Sequence, residues 1–159
     1  MSVFKKISLA FLVFVFPLVI LALEPINTFG VGGSFFSDPP RTGVAIRGYD
    51  PVSYFTDHKP VQGLDQYEMA WMGAKWKFAS QAHLDLFKAS PLKYAPQYGG
   101  YCAYGVAKGN LVKIEPDQFT IVDDKLYLNY DSDVQKDWKA DQATYIKKAN
   151  EKFQGLIKK

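Results

Sequence analysis

From residue 44 onward, short apolar stretches alternate with turn-forming clusters, and the periods within those stretches predict a mixture of strands and helices. Val44-Ala-Ile46 reads as a short apolar strand running into Gly48-Tyr-Asp-Pro-Val-Ser-Tyr-Phe55. There Asp50 can cap a helical turn with Pro51 at its first position. Tyr67, Met69 and Trp71 share one face at a period of two, and Trp76 and Phe78 share another, on either side of Met72-Gly73-Ala74. That is the pattern of an aromatic-rich hairpin. Ser80 is a good N-cap for a helix with Ala82, Leu84, Leu86 and Phe87 on its apolar side. Ser90-Pro91 stops this helix and can open a second short one through Lys93.

The second half repeats the alternation. A loop runs from Cys102 to Pro116. Phe119 to Val122 and Leu126 to Tyr130 then flank Asp123-Asp-Lys125 as a second hairpin. Asp131-Ser-Asp133 begins a helix in which Ser132 and Gln135 have capping-box spacing and Val134 and Trp138 form the buried stripe. Tyr145, Ala149 and Phe153 recur every four residues with Lys147, Lys148 and Lys152 outward, which marks a last helix. These elements predict an α+β domain. Its two hairpins form one small antiparallel sheet, packed by the helix from Ser80 and braced by the C-terminal helices. Trp71, Trp76, Phe78, Phe87 and Trp138 are its expected core.

The N-terminus follows a different pattern. Lys5 and Lys6 precede Ile7 to Leu23, a run that is uncharged and apolar apart from Ser8 and Pro17. A positive end before such a run is the pattern of a signal peptide or an N-terminal membrane anchor over residues 1–23. The positive end should stay cytoplasmic and the remainder should be exported. The expected location is the periplasm, or the outer face of the cytoplasmic membrane with residues 7–23 as the tether. Residues 24–41, with Gly30, Gly32, Gly33, Pro39 and Pro40, read as a linker, and residues 42–159 as the folded domain.

Composition narrows the function classes. An apolar share of 48% suffices for one core. Taking Lys5 and Lys6 from the 19 basic residues leaves 17 against 16 acidic ones, a net of +1. No basic run is interleaved with aromatics, so nucleic acid is not an expected partner. The chain has one cysteine, Cys102, and therefore no internal disulfide. In an exported protein an odd cysteine is a buried inert thiol, half of an intermolecular pair, or a reactive or metal-binding group.

Cys102 lies in Tyr94-Ala-Pro-Gln-Tyr-Gly-Gly-Tyr-Cys-Ala-Tyr104. Gly99-Gly100 allows positive φ and should aim the thiol, while Tyr94, Tyr98, Tyr101 and Tyr104 supply rings with polar edges. There is no phosphate loop, H-E-x-x-H, C-x-x-C or nucleophile elbow, so no enzyme class is indicated. His58, in a polar turn, reads as solvated, and His83 falls in the first turn of the helix from Ser80.

Gly48-Tyr-Asp-Pro-Val-Ser-Tyr-Phe55, Trp76-Lys-Phe-Ala-Ser80, Leu86-Phe87 and Pro91 to Tyr104 resemble the YHS domain family, in particular its exported bacterial branch. The resemblance spans about residues 42–154. It implies transition-metal handling, because metal-binding YHS and TRASH-like modules carry one cysteine after Asp-Pro-Val and a C-x3-C pair opening the helix. Those places hold Ser53, Ala79 and His83 here, so the usual thiolate cage is degenerate. Cys102 belongs to the branch's own Gly-Gly-Tyr-Cys-Ala motif.

Three readings follow. In the first, Cys102 and His83 bind copper or zinc, with Tyr98, Gly99, Gly100, Tyr101, Tyr104, Tyr49, Asp50 and Ser53 lining the site. In the second, Cys102 is a redox thiol activated by His83 or a helix N-terminus. In the third, the domain is a structural or partner-binding module and Cys102 is inert.

Overall fold

The first hairpin pairs β1 (Leu64–Trp71) with β2 (Ala74–Phe78), antiparallel, with Met69 opposite Trp76 and Trp71 opposite Ala74. The structure is a computed structural model that describes residues 43–157. The expected signal or anchor at 1–23, the linker at 24–41 and Thr42 lie outside the described residues. Met72 and Gly73 reverse the chain, both at positive φ. That handedness matches the twist of the flanking strands in a two-residue hairpin turn. The alternation in β1 holds, with Tyr67, Met69 and Trp71 turned inward and the residues between them exposed.

Helix α2 (Gln81–Ala89) covers this hairpin through Phe87, whose ring lies 4.8 Å from Trp76 and 5.2 Å from Phe78. Trp76, Phe78 and Phe87 are fully buried, whereas Trp71 is half-buried at their edge. The predicted apolar side of α2 is narrower than expected, because Ala82 and Leu86 are exposed. Before the hairpin, α1 (Ser53–Thr56) is a single turn, and after α2 comes the short α3 (Pro91–Tyr94).

Hairpin two pairs β3 (Glu115–Val122) with β4 (Lys125–Asn129), turning at Asp123 and Asp124, both left-handed. The two hairpins remain separate two-stranded sheets and do not join as expected. The reason lies in β4, where Leu126 to Asn129 are all buried. Its neighbours are α3, the turn at Gln97–Gly100 and α4 (Ala103–Lys108), so helices and a turn cover the surface that a further strand would need.

Other expectations change for local reasons. Val44 makes only an isolated bridge to Lys75, because Ile46, Arg47 and Gly48 all have positive φ and turn the chain. The stretch after Cys102 is not wholly loop, since α4 forms there and ends at Gly109 with φ 93°. Asp131, not Ser132, caps α5 (Ser132–Ala140), and Gln135 donates across to the Phe119 carbonyl instead of closing a box. The last helix, α6 (Gln142–Leu156), packs on α4 and buries Ala149 and Phe153. With Tyr98, Tyr127 and Trp138 these residues form a second core beside that of the first hairpin. Among the described residues no helix is long and apolar enough to cross a membrane.

Candidate functional site

Asp50 sits where the chain enters α1, and its side chain is fully buried. One carboxylate oxygen accepts the Val52 N–H at 2.8 Å, as expected for a cap. The other reaches a distant part of the fold. It accepts the Ala79 N–H at 2.8 Å and pairs with His83 Nδ1 at 2.6 Å. Ser80 caps α2 by accepting the His83 N–H, which places the imidazole in the first helical turn facing Asp50. Ser53 Oγ donates to the Asp50 carbonyl and accepts the Val61 N–H, and Tyr49 bridges to Gln62 beside it. Ser53, Ala79 and His83, the three positions the sequence resemblance singles out, thus all bond to Asp50.

A carboxylate already accepting two backbone N–H bonds assigns the Nδ1 proton of His83 to the shared bond. Nε2 lies 3.4 Å from Thr56 Oγ1 and is an acceptor in the neutral ring, and the side chain remains 15% exposed. A carboxylate bonded to Nδ1 in this way orients a ligating or basic imidazole.

Cys102 occupies a different environment. Tyr98, Gly99 and Gly100 are three successive left-handed residues, and they deliver Cys102 to the N-cap of α4. The Gly-Gly expectation holds, with Tyr98 sharing the conformation. The sulfur is buried, accepts the Gly105 N–H at 3.4 Å and receives Asn129 Nδ2 at 3.9 Å. Burial pushes the thiol above its ordinary value, and the N–H groups of Gly105, Tyr130, Asn129 and Tyr104 only partly offset that.

The tyrosines do not share one role. Tyr94 joins the core that holds Cys102, while the Tyr98 hydroxyl donates to Asn150 on α6 at 2.9 Å. Tyr104 stacks at a tilt on Tyr145, and Tyr101 packs with the second core.

The His83 side chain bonds to Asp50 and Thr56, whereas the Cys102 sulfur is met by Gly105, Asn129 and the Tyr104 and Tyr130 main chain. No residue is common to the two sets. Among the described residues, no three His, Cys, Asp or Glu side chains group as metal ligands. The donor set therefore does not suit a closed three- or four-ligand cage. It suits one oriented imidazole with open positions around an ion.

Sequence reasoning missed Asn129, Thr56 and the reach of Asp50 to α2. Asn129 carried a signal, being a polar residue that closes the apolar run Leu126-Tyr-Leu. Asp50 gave none beyond its cap, because its second partner lies 33 residues away.

No curated protein and no solved structure gives a match to this chain. One family model does. It begins at Val52, two residues after Asp50, includes Ser53, Ala79 and His83, and ends at Tyr98, before Cys102. That model is the YHS domain, and it matches residues 52–98.

Proposed function

We propose that this YHS domain handles a transition-metal ion, copper or zinc, as cargo rather than catalysing a reaction. The observation that carries the proposal is the Asp50–His83 pair. A fully buried carboxylate fixes the imidazole through Nδ1 and leaves Nε2 beside Thr56 Oγ1 on a partly exposed side chain. An imidazole held in this way is a ready donor to a borderline ion, and the metal association implied by the YHS domain points the same way. A single oriented imidazole with open positions favours an ion that is passed on over one that is retained. The sequence also nominates Cys102 as a thiolate donor, but its partners share no residue with those of His83, so the proposal rests on the imidazole. Export to the periplasm or to the outer membrane face, with residues 7–23 as a tether, completes the reading.

Titration of the purified chain with Cu(I) and Zn(II) against competing chelators tests it. About one ion per chain is expected, with affinity falling as pH drops because the ligand must be deprotonated. His83→Ala should weaken binding severalfold. Cys102→Ser removes most of the binding if the thiol is the principal donor and leaves it intact if the imidazole acts alone. Failure of both metals to bind wild type sinks the proposal. Protease accessibility in spheroplasts tests export, and protection alongside a cytoplasmic marker refutes it.

One observation favours a second reading, that of a structural or partner-binding module. Cys102 is buried and serves as a helix cap, an arrangement that fits an inert thiol. Burial also raises the thiol, which lowers its thiolate fraction and disfavours rapid disulfide exchange.

A further inference from the structure

We propose that Asp57 is the second donor to an ion at His83, and that the pair selects a divalent ion, Zn(II) or Cu(II), over Cu(I). The inference rests on the imidazole reading above and names a donor which that reading leaves open. Its starting point is one hydroxyl. Thr56 Oγ1 lies 3.4 Å from His83 Nε2, 3.0 Å from Asp57 Oδ1 and 3.2 Å from the Val52 carbonyl. With the ring proton on Nδ1, all three of these are acceptors, and the hydroxyl has a single proton to offer. The Val52 carbonyl already accepts the Phe55 and Thr56 N–H groups and is satisfied without it. His83 Nε2 and the Asp57 carboxylate are left to share one proton between them. A cation at that point serves both sets of lone pairs at once.

The charge around the hydroxyl has the sign a cation needs. Asp50 stands at Nδ1 of the ring, and Asp57 meets the hydroxyl at its Nε2. Among the described residues, neither carboxylate has an ion-pair partner other than His83. The two donors also differ usefully in freedom. The imidazole is held from behind by the buried Asp50, while Asp57 follows α1 and is exposed, so its carboxylate can turn onto an ion without disturbing the core. Imidazole nitrogen with carboxylate and hydroxyl oxygen suits Zn(II) and Cu(II), whereas Cu(I) is selected by thiolate and thioether sulfur. Two such side chains and a hydroxyl fall short of a structural cage, and they leave positions open to the group that takes the ion next.

The test uses the full chain, with Zn(II) and Cu(I) each titrated against competing chelators. Asp57→Asn, checked for folding by circular dichroism, should lose about tenfold or more in Zn(II) affinity, because loss of even an outer-shell partner costs that much. The same variant should leave Cu(I) binding as it is in wild type. Asp137→Asn, exposed on α5, controls for charge alone and should bind Zn(II) like wild type. Co(II) in place of zinc reads the donor atoms, and the expected spectrum lacks the intense thiolate charge-transfer band. If Asp57→Asn binds Zn(II) as tightly as wild type while His83→Ala does not, the inference is overturned and the imidazole reading stands. An equal loss of Cu(I) and Zn(II) in Asp57→Asn, or a thiolate band, overturns the selectivity. A wild type that binds neither ion overturns both.

Discussion

The two buried polar centres of this domain differ in how fully they are satisfied. At Asp50 the carboxylate accepts from Val52, Ala79 and His83, and the imidazole stays partly exposed. At Cys102 the sulfur is enclosed and weakly bonded, and the amide that reaches it leaves an acceptor over. A saturated centre stabilises the fold and presents one group outward. An incompletely satisfied one contributes less to stability. Burial alone does not separate the two, whereas counting donors against acceptors does.

The largest expected effect tests the saturated centre. Asp50→Ala leaves two N–H groups and an imidazole without their acceptor, at a cost of about 3–5 kcal/mol in urea unfolding. A loss below about 1 kcal/mol would show that water replaces the carboxylate and would erase the contrast.

An intermediate effect concerns alkaline pH in both halves. Burial pushes Tyr54, Tyr98 and Cys102 upward. Each native group therefore keeps its proton after the unfolded chain has released it. The stability is fully present below the unfolded values, 9.0 for the thiol and 10.0 for the phenols, and is lost as pH rises past them. Each group should contribute a slope of about 1.4 kcal/mol per pH unit in that window. Tyr54→Phe forfeits the bond to the Pro116 carbonyl but should flatten the curve by one such slope, and an unchanged slope would contradict the burial argument.

The smallest effect belongs to the unsatisfied centre. Asn129→Leu gives up a long N–H···S contact but also removes the stranded oxygen, so stability should stay within about 1 kcal/mol of wild type. A loss comparable to that of Asp50→Ala would mean that Asn129 is well bonded after all.

Much of the architecture was legible in the chain because its signals are local. Ser80, Ser90-Pro91, Asp123-Asp124 and the aromatic alternation of β1 and β2 each act within a few residues, and each element formed where they place it. The α+β class followed. The joining of the hairpins did not, because what lies beside β4 is decided in part by α4, and α4, Ala-Tyr-Gly-Val-Ala-Lys, is too short to show an amphipathic period. The site divides along the same line. Gly99-Gly100 announced the turn that carries Cys102, and Ser80 announced the place of His83. Their partners, Asp50 across 33 residues and Asn129 across 27, are tertiary contacts without a sequence period.

Tyr98 makes the far end of the chain part of this arrangement. It is a bulky residue in a left-handed conformation that disfavours side chains by about 1–2 kcal/mol. Its hydroxyl is held by Asn150, 52 residues later. The turn beneath Cys102 is therefore clasped by α6 from outside its own neighbourhood. Shortening or clipping that helix should slacken the loop before any strand opens, so sequence drift at the C-terminus can tune the thiol's setting without touching a residue near it.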